Sequence, residues 1–350
     1  MVSLIHTFEL FIPVSSDDIK QIFSKYGIRV NKYRYIRAAV KELNKEVKNV
    51  FPAYAIVRTW EHMYLDGIWY LQFKVDAVKV LNRSTITEED YELIELDIRK
   101  FLTWHFGFSD YYDYHTLTRI DYRIDVKVPN PQHRELLFHL LEKYTVKYAY
   151  KEKIKYGKDE NGDPLKYETS QYHKCKSTEL VIYSKEDERI AKGEQIQPYD
   201  ENIVRYELRL KNRHLNSMKR EDKGGKGRPK QLKVYFSSEL MKEYMEKHVI
   251  PIVHTGDYYK ITEAEKIIAN SSYSQRKKES LRKFLVIVSK GNIDTPLKKS
   301  KEEGGISKPT NRQYLRDLAN LGINPILIPK NFTTENYTSF PSFLENPFKI

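Results

Sequence analysis

The sequence predicts an α+β fold, a largely antiparallel sheet with helices packed on it, followed by a smaller, mainly helical region. Three observations predict it. Through the first 220 residues, stretches with a side-chain period of two alternate with stretches of helical period. The connections between them are short and include a hairpin signal, which favours antiparallel neighbours. After EDKGGKGRPK, residues 221–230, the pattern becomes almost wholly helical. The expected division is therefore 1–220, a basic linker or loop at 221–230, and 231–350.

Residues 2–13 read as a first strand and 15–25 as a helix capped by Ser15 or Ser16. Strands are expected near 28–38, 52–60 and 67–80. A helix starts at Thr87, where TEED forms a capping box, and its stripe is Tyr91, Ile94, Ile98, Phe101 and Leu102. TLTRIDYRIDVKV, 116–128, is the next strand. In NPQHRELLFHLLEKY, Asn130 is the N-cap and Pro131 the first helical residue. A hairpin over 146–173 turns at Asn161-Gly162, and strands follow at 178–185 and 202–210. Helices are expected at 237–248, 261–270, 274–289 and 309–321, the last started by Ser307 and Pro309 and stopped by Gly322, with a short strand at NPILIP.

The 350 residues carry 40% hydrophobic and 31% charged side chains, the range of globular chains. Lys plus Arg total 60 against 48 acids, giving a net charge of +12 and a pI near 9.3, so a polyanion is the favoured partner, nucleic acid first and an acidic membrane surface second. Tyrosine is frequent, with 27 residues, which suits stacking on unpaired bases as well as sheet building. One cysteine, Cys175, excludes a disulfide framework and points to a reducing cytoplasm. MVSLIHTFELFIPV reads as a strand, not a signal peptide, and no apolar run reaches the roughly 20 residues of a membrane span.

Three strands carry charge in strict alternation. In TRIDYRID, Arg119, Asp121, Arg123 and Asp125 share a face; in VRYELRL, Arg205, Glu207 and Arg209 do; in ELVIYSK, Glu179, Val181, Tyr183 and Lys185 do. Side by side, such strands supply what phosphodiester chemistry needs: carboxylates for Mg²⁺ or Mn²⁺, arginines for phosphate oxygens, and a tyrosine nucleophile whose pKa a neighbouring cation such as Lys185 can lower. The same residues also suit a solvated face of cross-strand ion pairs, each worth about 0.2–1 kcal/mol. The chain has no His-x-His pair and no HExxH; His62, His115 and His173 remain as single ligands at most. Gly107, Gly157 and Gly162 form no phosphate-binding loop. Lys308, Arg312 and Arg316 on the last helix, and SYSQRKKESLRKF at 272–284, are candidate contacts to DNA.

Taken in order, TRIDYRID with VPNP and a helix, KSTELVIYSKEDE, IVRYELRLKNRHL and TNRQYLRDLANLGINPILIPKNF make the chain resemble rolling-circle replication initiators, most closely the filamentous-phage gene II type and related plasmid initiators. The N-terminal strand and WYLQFKVDAVKVL fit as well, so the likeness covers most of the chain. The resemblance implies a carboxylate-metal nickase that joins a tyrosine to the 5′ phosphate of one strand at a double-stranded origin, unpaired at the nick. It makes Tyr183 the nucleophile, with Tyr172 as backup and Lys185 beside it. Asp121 and Glu207 then hold Mg²⁺ or Mn²⁺, Asp125 and Glu179 being further candidates, while Arg119, Arg123, Arg205 and Arg209 take phosphate or structural roles. Gln72 stands where the phage relative carries a glutamate. The resemblance also implies a homodimer and a superfamily 1 helicase partner; the basic helices after residue 230 are expected to bind the origin, and no membrane partner is expected. Two rival readings stay open: a conjugative relaxase with the same chemistry, and a non-enzymatic DNA-binding regulator.

Overall fold

The computed structural model describes residues 2–32, 36–63, 67–142, 151–152, 156–158, 164–166, 169–222, 224–300 and 302–348. Its elements are β1 (Val2–Ser15), α1 (Ser16–Lys25), α2 (Ile36–Val50), β2 (Tyr54–Glu61), β3 (Ile68–Asp76), α3 (Ala77–Leu81), α4 (Tyr91–Phe106), β4 (Thr116–Lys127) and α5 (Pro131–Glu142). Short strands β5 (Lys151–Glu152), β6 (Tyr156–Lys158) and β7 (Pro164–Lys166) lead to β8 (Ser170–Lys174), β9 (Thr178–Ser184), α6 (Lys185–Ala191), β10 (Ile203–Lys211) and α7 (Asn212–Lys219). Then come α8 (Leu232–Tyr235), α9 (Ser238–His248), α10 (Ile250–Val253), β11 (Tyr258–Tyr259), α11 (Ile261–Asn270), α12 (Gln275–Ser289), α13 (Thr295–Lys298), α14 (Lys308–Asn320) and β12 (Phe343–Leu344). The strands of the large sheet are hydrogen-bonded in the order β2-β3-β1-β4-β10-β9-β8-β5. The pairs β1–β3, β1–β4, β2–β3 and β5–β8 are antiparallel. The expected α+β class, sheet first and helices after, is the observed one.

Contacts divide the chain into two compact units. The first is Met1–Ile124 with Lys176–Glu179 and Glu207–Lys242; the second is Asp125–Cys175 with Leu180–Tyr206 and Glu243–Ile350. In the first unit, one face of the sheet is the core. Phe8, Leu10, Ile12, Leu71 and Phe73 alternate inward from β1 and β3 and meet Ile94, Ile98, Phe101 and Leu102 of α4, all fully buried. Tyr54 stacks on Phe101 with centroids 4.2 Å apart and gives its hydroxyl proton to Asp97 at 2.6 Å. Each such side chain stabilises the fold by about 1.5–3 kcal/mol through burial. In the second unit, Leu281, Phe284, Leu285 and Val288 of α12 are buried, Phe284 lies 5.5 Å from Tyr314 of α14, and Leu318 is buried.

Local signals in the sequence account for several boundaries. Ser15, not Ser16, caps α1: its hydroxyl accepts from the Asp18 amide at 3.1 Å and the Asp18 carboxylate accepts from its amide at 2.7 Å. The Thr87–Asp90 capping box forms, although a single 3₁₀ turn precedes α4. Asn130 accepts from the Gln132 amide at 2.9 Å. Three expectations are corrected. In place of a strand over 28–38, a 3₁₀ turn at Val30–Lys32 leads into α2, whose Val40, Leu43 and Val47 follow helical spacing. The strand at 67–80 stops at Asp76, whose side chain caps α3. NPILIP forms no extended strand: Ile323 and Ile328 make single parallel bridges to Asp257 and Lys260. The expected turn at Asn161-Gly162 lies outside the described residues, although the flanking β6 and β7 pair antiparallel. Residues 221–230 carry backbone hydrogen bonds, from Lys226 and Arg228 to the Met218 carbonyl and from Gly227 to that of Arg220.

Candidate active site

The opposite face of the first unit's sheet carries charge. Two irregularities build it. Between Ile5 and Thr7 the β1–β4 register slips, as it does between Glu9 and Leu10. Each slip is a bulge that leaves two consecutive residues opposite one, so His6 joins Thr7, and Thr118 joins Arg119, on the same side. From there the contacts run without interruption. Arg58 donates to Gln72 at 2.8 Å, Gln72 to Glu9 at 2.8 Å and to Thr118 at 3.1 Å, and Arg119 to Glu9 at 3.2 Å. Arg119 also grips both Asp121 oxygens, at 2.7 and 2.5 Å, and Thr7 donates to Asp121 at 2.6 Å. Arg209 lies 3.9 Å from Asp121, 2.6 Å from Glu207 and 3.1 Å from Glu179. His6 Nδ1 is 3.0 Å from Glu207, and Lys211 is 2.8 Å from Glu179.

Acid and base thus alternate through the network, and the pairing is the reason that charges this buried persist. Asp121 and Glu207 are 0% and 1% exposed. Burial pulls the guanidinium of Arg209 down, but Glu207 and Asp121 outweigh it and the net direction is strongly up. Arg119 goes the same way, with Asp121 the main opposing charge. The carboxylate oxygens are the hard donors that Mg²⁺ or Mn²⁺ prefers. Among the described residues, however, no three His, Cys, Asp or Glu side chains gather as a metal-binding group, and guanidinium nitrogens already face Asp121 and Glu207. As it stands, the donor chemistry suits a divalent ion and the arrangement does not.

The remaining sequence candidates are placed as follows. Arg123 is 1% exposed, and one of its terminal nitrogens donates to the Ser84 carbonyl, a buried structural contact. In the second unit, Arg205 grips Asp125 at 2.7 and 2.8 Å. Lys185 does not continue β9. Ser184 ends the strand and caps α6 by accepting from the Asp187 amide, so Lys185 opens the helix, 5% exposed and paired with Glu188. Burial, and then the charge of Arg205, lowers its pKa. Tyr183 is 6% exposed, and alternation along β9 puts it on the side of Glu179. Tyr172 is half-buried on the side of β8 opposite Gln171, which hydrogen-bonds the backbone of α5.

Lys308, Arg312 and Arg316 are exposed along α14 beside a groove of about 530 Å³ that also includes Ile250, Pro251 and Leu315. His115 has both ring nitrogens in backbone hydrogen bonds, to Tyr112 and from Leu232, and so has no lone pair for a metal. His6, Thr7, Glu9 and Thr118 were not singled out by the sequence: strict alternation has no place for the bulge residues His6 and Thr118, and Thr7 and Glu9 join the site only through their contacts with β4.

No helix among the described residues is long and apolar enough to cross a membrane. No curated protein is similar enough to the chain to be matched. The profile of one family, described as the N-terminal part of the replication-associated gene II protein, matches residues 66–243, more than half of the chain. The match spans β3, β4, β9 and β10, and with them Gln72, Arg119, Asp121, Glu179, Tyr183, Glu207 and Arg209. The chain therefore belongs to this replication-associated family, the gene II type whose motifs it carries.

Proposed function

We propose that the protein is a rolling-circle initiator that nicks and rejoins one strand at a replication origin. The observation that carries this reading is the continuous alternation of acid and arginine across one sheet face, from Arg119 to Arg209, within the part of the chain that matches the family. Tyr183 is the proposed nucleophile. Its phenol oxygen attacks the scissile phosphorus, the bond to the 3′ oxygen breaks, the leaving oxygen takes up a proton, and the 5′ phosphate stays on the tyrosine. Reversal rejoins the strand. Lys185, two positions on, steadies the developing phenolate, and Tyr172 is the alternative nucleophile.

Arg119 and Arg209 each bridge two carboxylates. In this reading they turn toward phosphate oxygens when the strand arrives, the geometry for which guanidinium is suited. Mg²⁺ or Mn²⁺ is the proposed cation; Asp121 and Glu207 would hold it once the arginines have turned, with Asp125 and Glu179 as further candidates. When bound, it would polarise the phosphate. Residues 1–220 form the proposed nicking part and 231–350 the origin-binding part, with Lys308, Arg312 and Arg316 on phosphate. A homodimer, a superfamily 1 helicase partner and a cytoplasmic setting complete the proposal.

The test is incubation with supercoiled DNA of the element that encodes the chain, in Mg²⁺. Open circles with covalently attached protein are expected, and peptide mapping of the adduct should return Tyr183. Tyr183→Phe should form no adduct while binding the same DNA. An adduct on Tyr172 moves the nucleophile, and no adduct at all leaves a DNA binder, a reading that the closure of both Asp121 oxygens by Arg119 also favours.

A further inference from the structure

Beyond Gln72 the face of the first unit's sheet opposite the core changes character. Phe11, Trp60, Tyr70 and His62, all half-buried, form a cluster on β1, β2 and β3 and just after β2. Phe11 lies 5.7 Å from Trp60 and 5.1 Å from Tyr70, in edge-to-face contact. Trp60 and Tyr70, which are register partners, are 5.3 Å apart, and His62 is 5.6 Å from Tyr70. The exposed Arg58 lays its guanidinium 4.4 Å over the Trp60 ring while donating to Gln72. One side chain thus joins the aromatic cluster to the charged network.

On the other face of these strands, Ile12, Ile56, Leu71 and Phe73 are buried core. The rings therefore add to a face that the core does not use. Cross-strand aromatic pairs stabilise a sheet, but that role gives no reason for a cation stacked on the outermost ring or for the link to Gln72 and Glu9.

We infer that Phe11, Trp60, Tyr70 and His62, with Arg58, form a stacking platform for the bases of an unpaired DNA strand that continues away from the scissile phosphate. The chemistry is that of single-strand binding: π-faces take any base, and Arg58 supplies cation–π contact and phosphate attraction. Charge complementarity supports this occupant, since the chain carries +12 overall and Arg58 is exposed at the platform's edge. The inference rests on the nicking reading for the presence of an unpaired strand at this face.

The test is fluorescence anisotropy of a labelled oligothymidylate against a duplex of equal length. Trp60→Ala and Tyr70→Ala should each weaken oligothymidylate binding by about 5- to 150-fold, the worth of one stacked base, and leave duplex binding unchanged. Trp60→Phe keeps a ring and should keep most of the affinity, while losing the quench that the strand imposes on Trp60 emission. That variant guards against misfolding as an explanation. Unchanged oligothymidylate affinity in both alanine variants, or equal losses on duplex, would overturn the platform. If the wild type still forms its adduct in that case, only the platform falls. If no adduct forms while the alanine variants lose the single strand, the platform stands and the nicking chemistry falls.

Discussion

Arg119 holds both oxygens of Asp121, at 2.7 and 2.5 Å, while its remaining nitrogen reaches Glu9 at 3.2 Å. The carboxylate that the motif offers to a cation is thus bound to a cation the chain already owns. Guanidinium and divalent ion compete for the same oxygens. Replacing Arg119 by Lys removes the two-pronged bond, worth about 1.5–3 kcal/mol. Mn²⁺ should then bind at least about tenfold more tightly, as read by calorimetry or by the paramagnetic resonance of free Mn²⁺. Equal or weaker binding would separate Asp121 from the ion.

Thr7 gives Asp121 a buried third donor at 2.6 Å. Thr7→Val keeps the shape and deletes the donor. A loss of about 1–2 kcal/mol in urea unfolding is expected, and a loss within error would mean that Arg119 alone satisfies the carboxylate.

His105, in the last turn of α4, is fully buried and bonded through Nδ1 to the Phe101 carbonyl and through Nε2 to the Tyr26 hydroxyl. Burial is the main cause that holds its pKa down to about 4, against 6.5 for a free ring. Between these values the unfolded chain carries a proton that the folded one lacks, so stability should rise with pH across this window and fall as pH drops through it. The full effect is on the order of 3 kcal/mol. Urea titrations on either side of the window should show it, with a shallower slope in His105→Gln.

Lys308, Arg312 and Arg316 are exposed on one stripe of α14. If each neutralises a phosphate, each change to Ala should reduce the slope of log affinity for duplex DNA against log salt by about 0.9. Unchanged slopes in all three would remove α14 from the interface.

Much of this protein can be read from its sequence. The helices after residue 230 fall close to where Ser307, Pro309 and the leucine spacing put them, because caps and amphipathic stripes are local. Alternation in TRIDYRID and VRYELRL correctly put Arg119 with Asp121 and Glu207 with Arg209. It failed at Lys185, where Ser184 had the chemistry of an N-cap and ended the strand. It also read Arg123 as a surface cation, when the guanidinium is buried on a backbone carbonyl. Glu9, Gln72 and Arg58 belong to the site through contacts between strands far apart in the chain, which no window of one strand can contain.

The surplus residue in β1 has a consequence for how this segment tolerates change. Exchanging the imidazole of His6 for another side chain touches one contact, with Glu207. Deleting the residue removes the slip between Ile5 and Thr7 and leaves them opposite Tyr122 and Asp121, which are already consecutive partners, so Ile5 stays in the core and Thr7 on the charged face. Loss of His6 should therefore be about as mild as its exchange, whereas loss of Phe8, from the regular part of the ladder, should turn the preceding positions over and be severe, an asymmetry that a deletion scan across the first ten codons would expose.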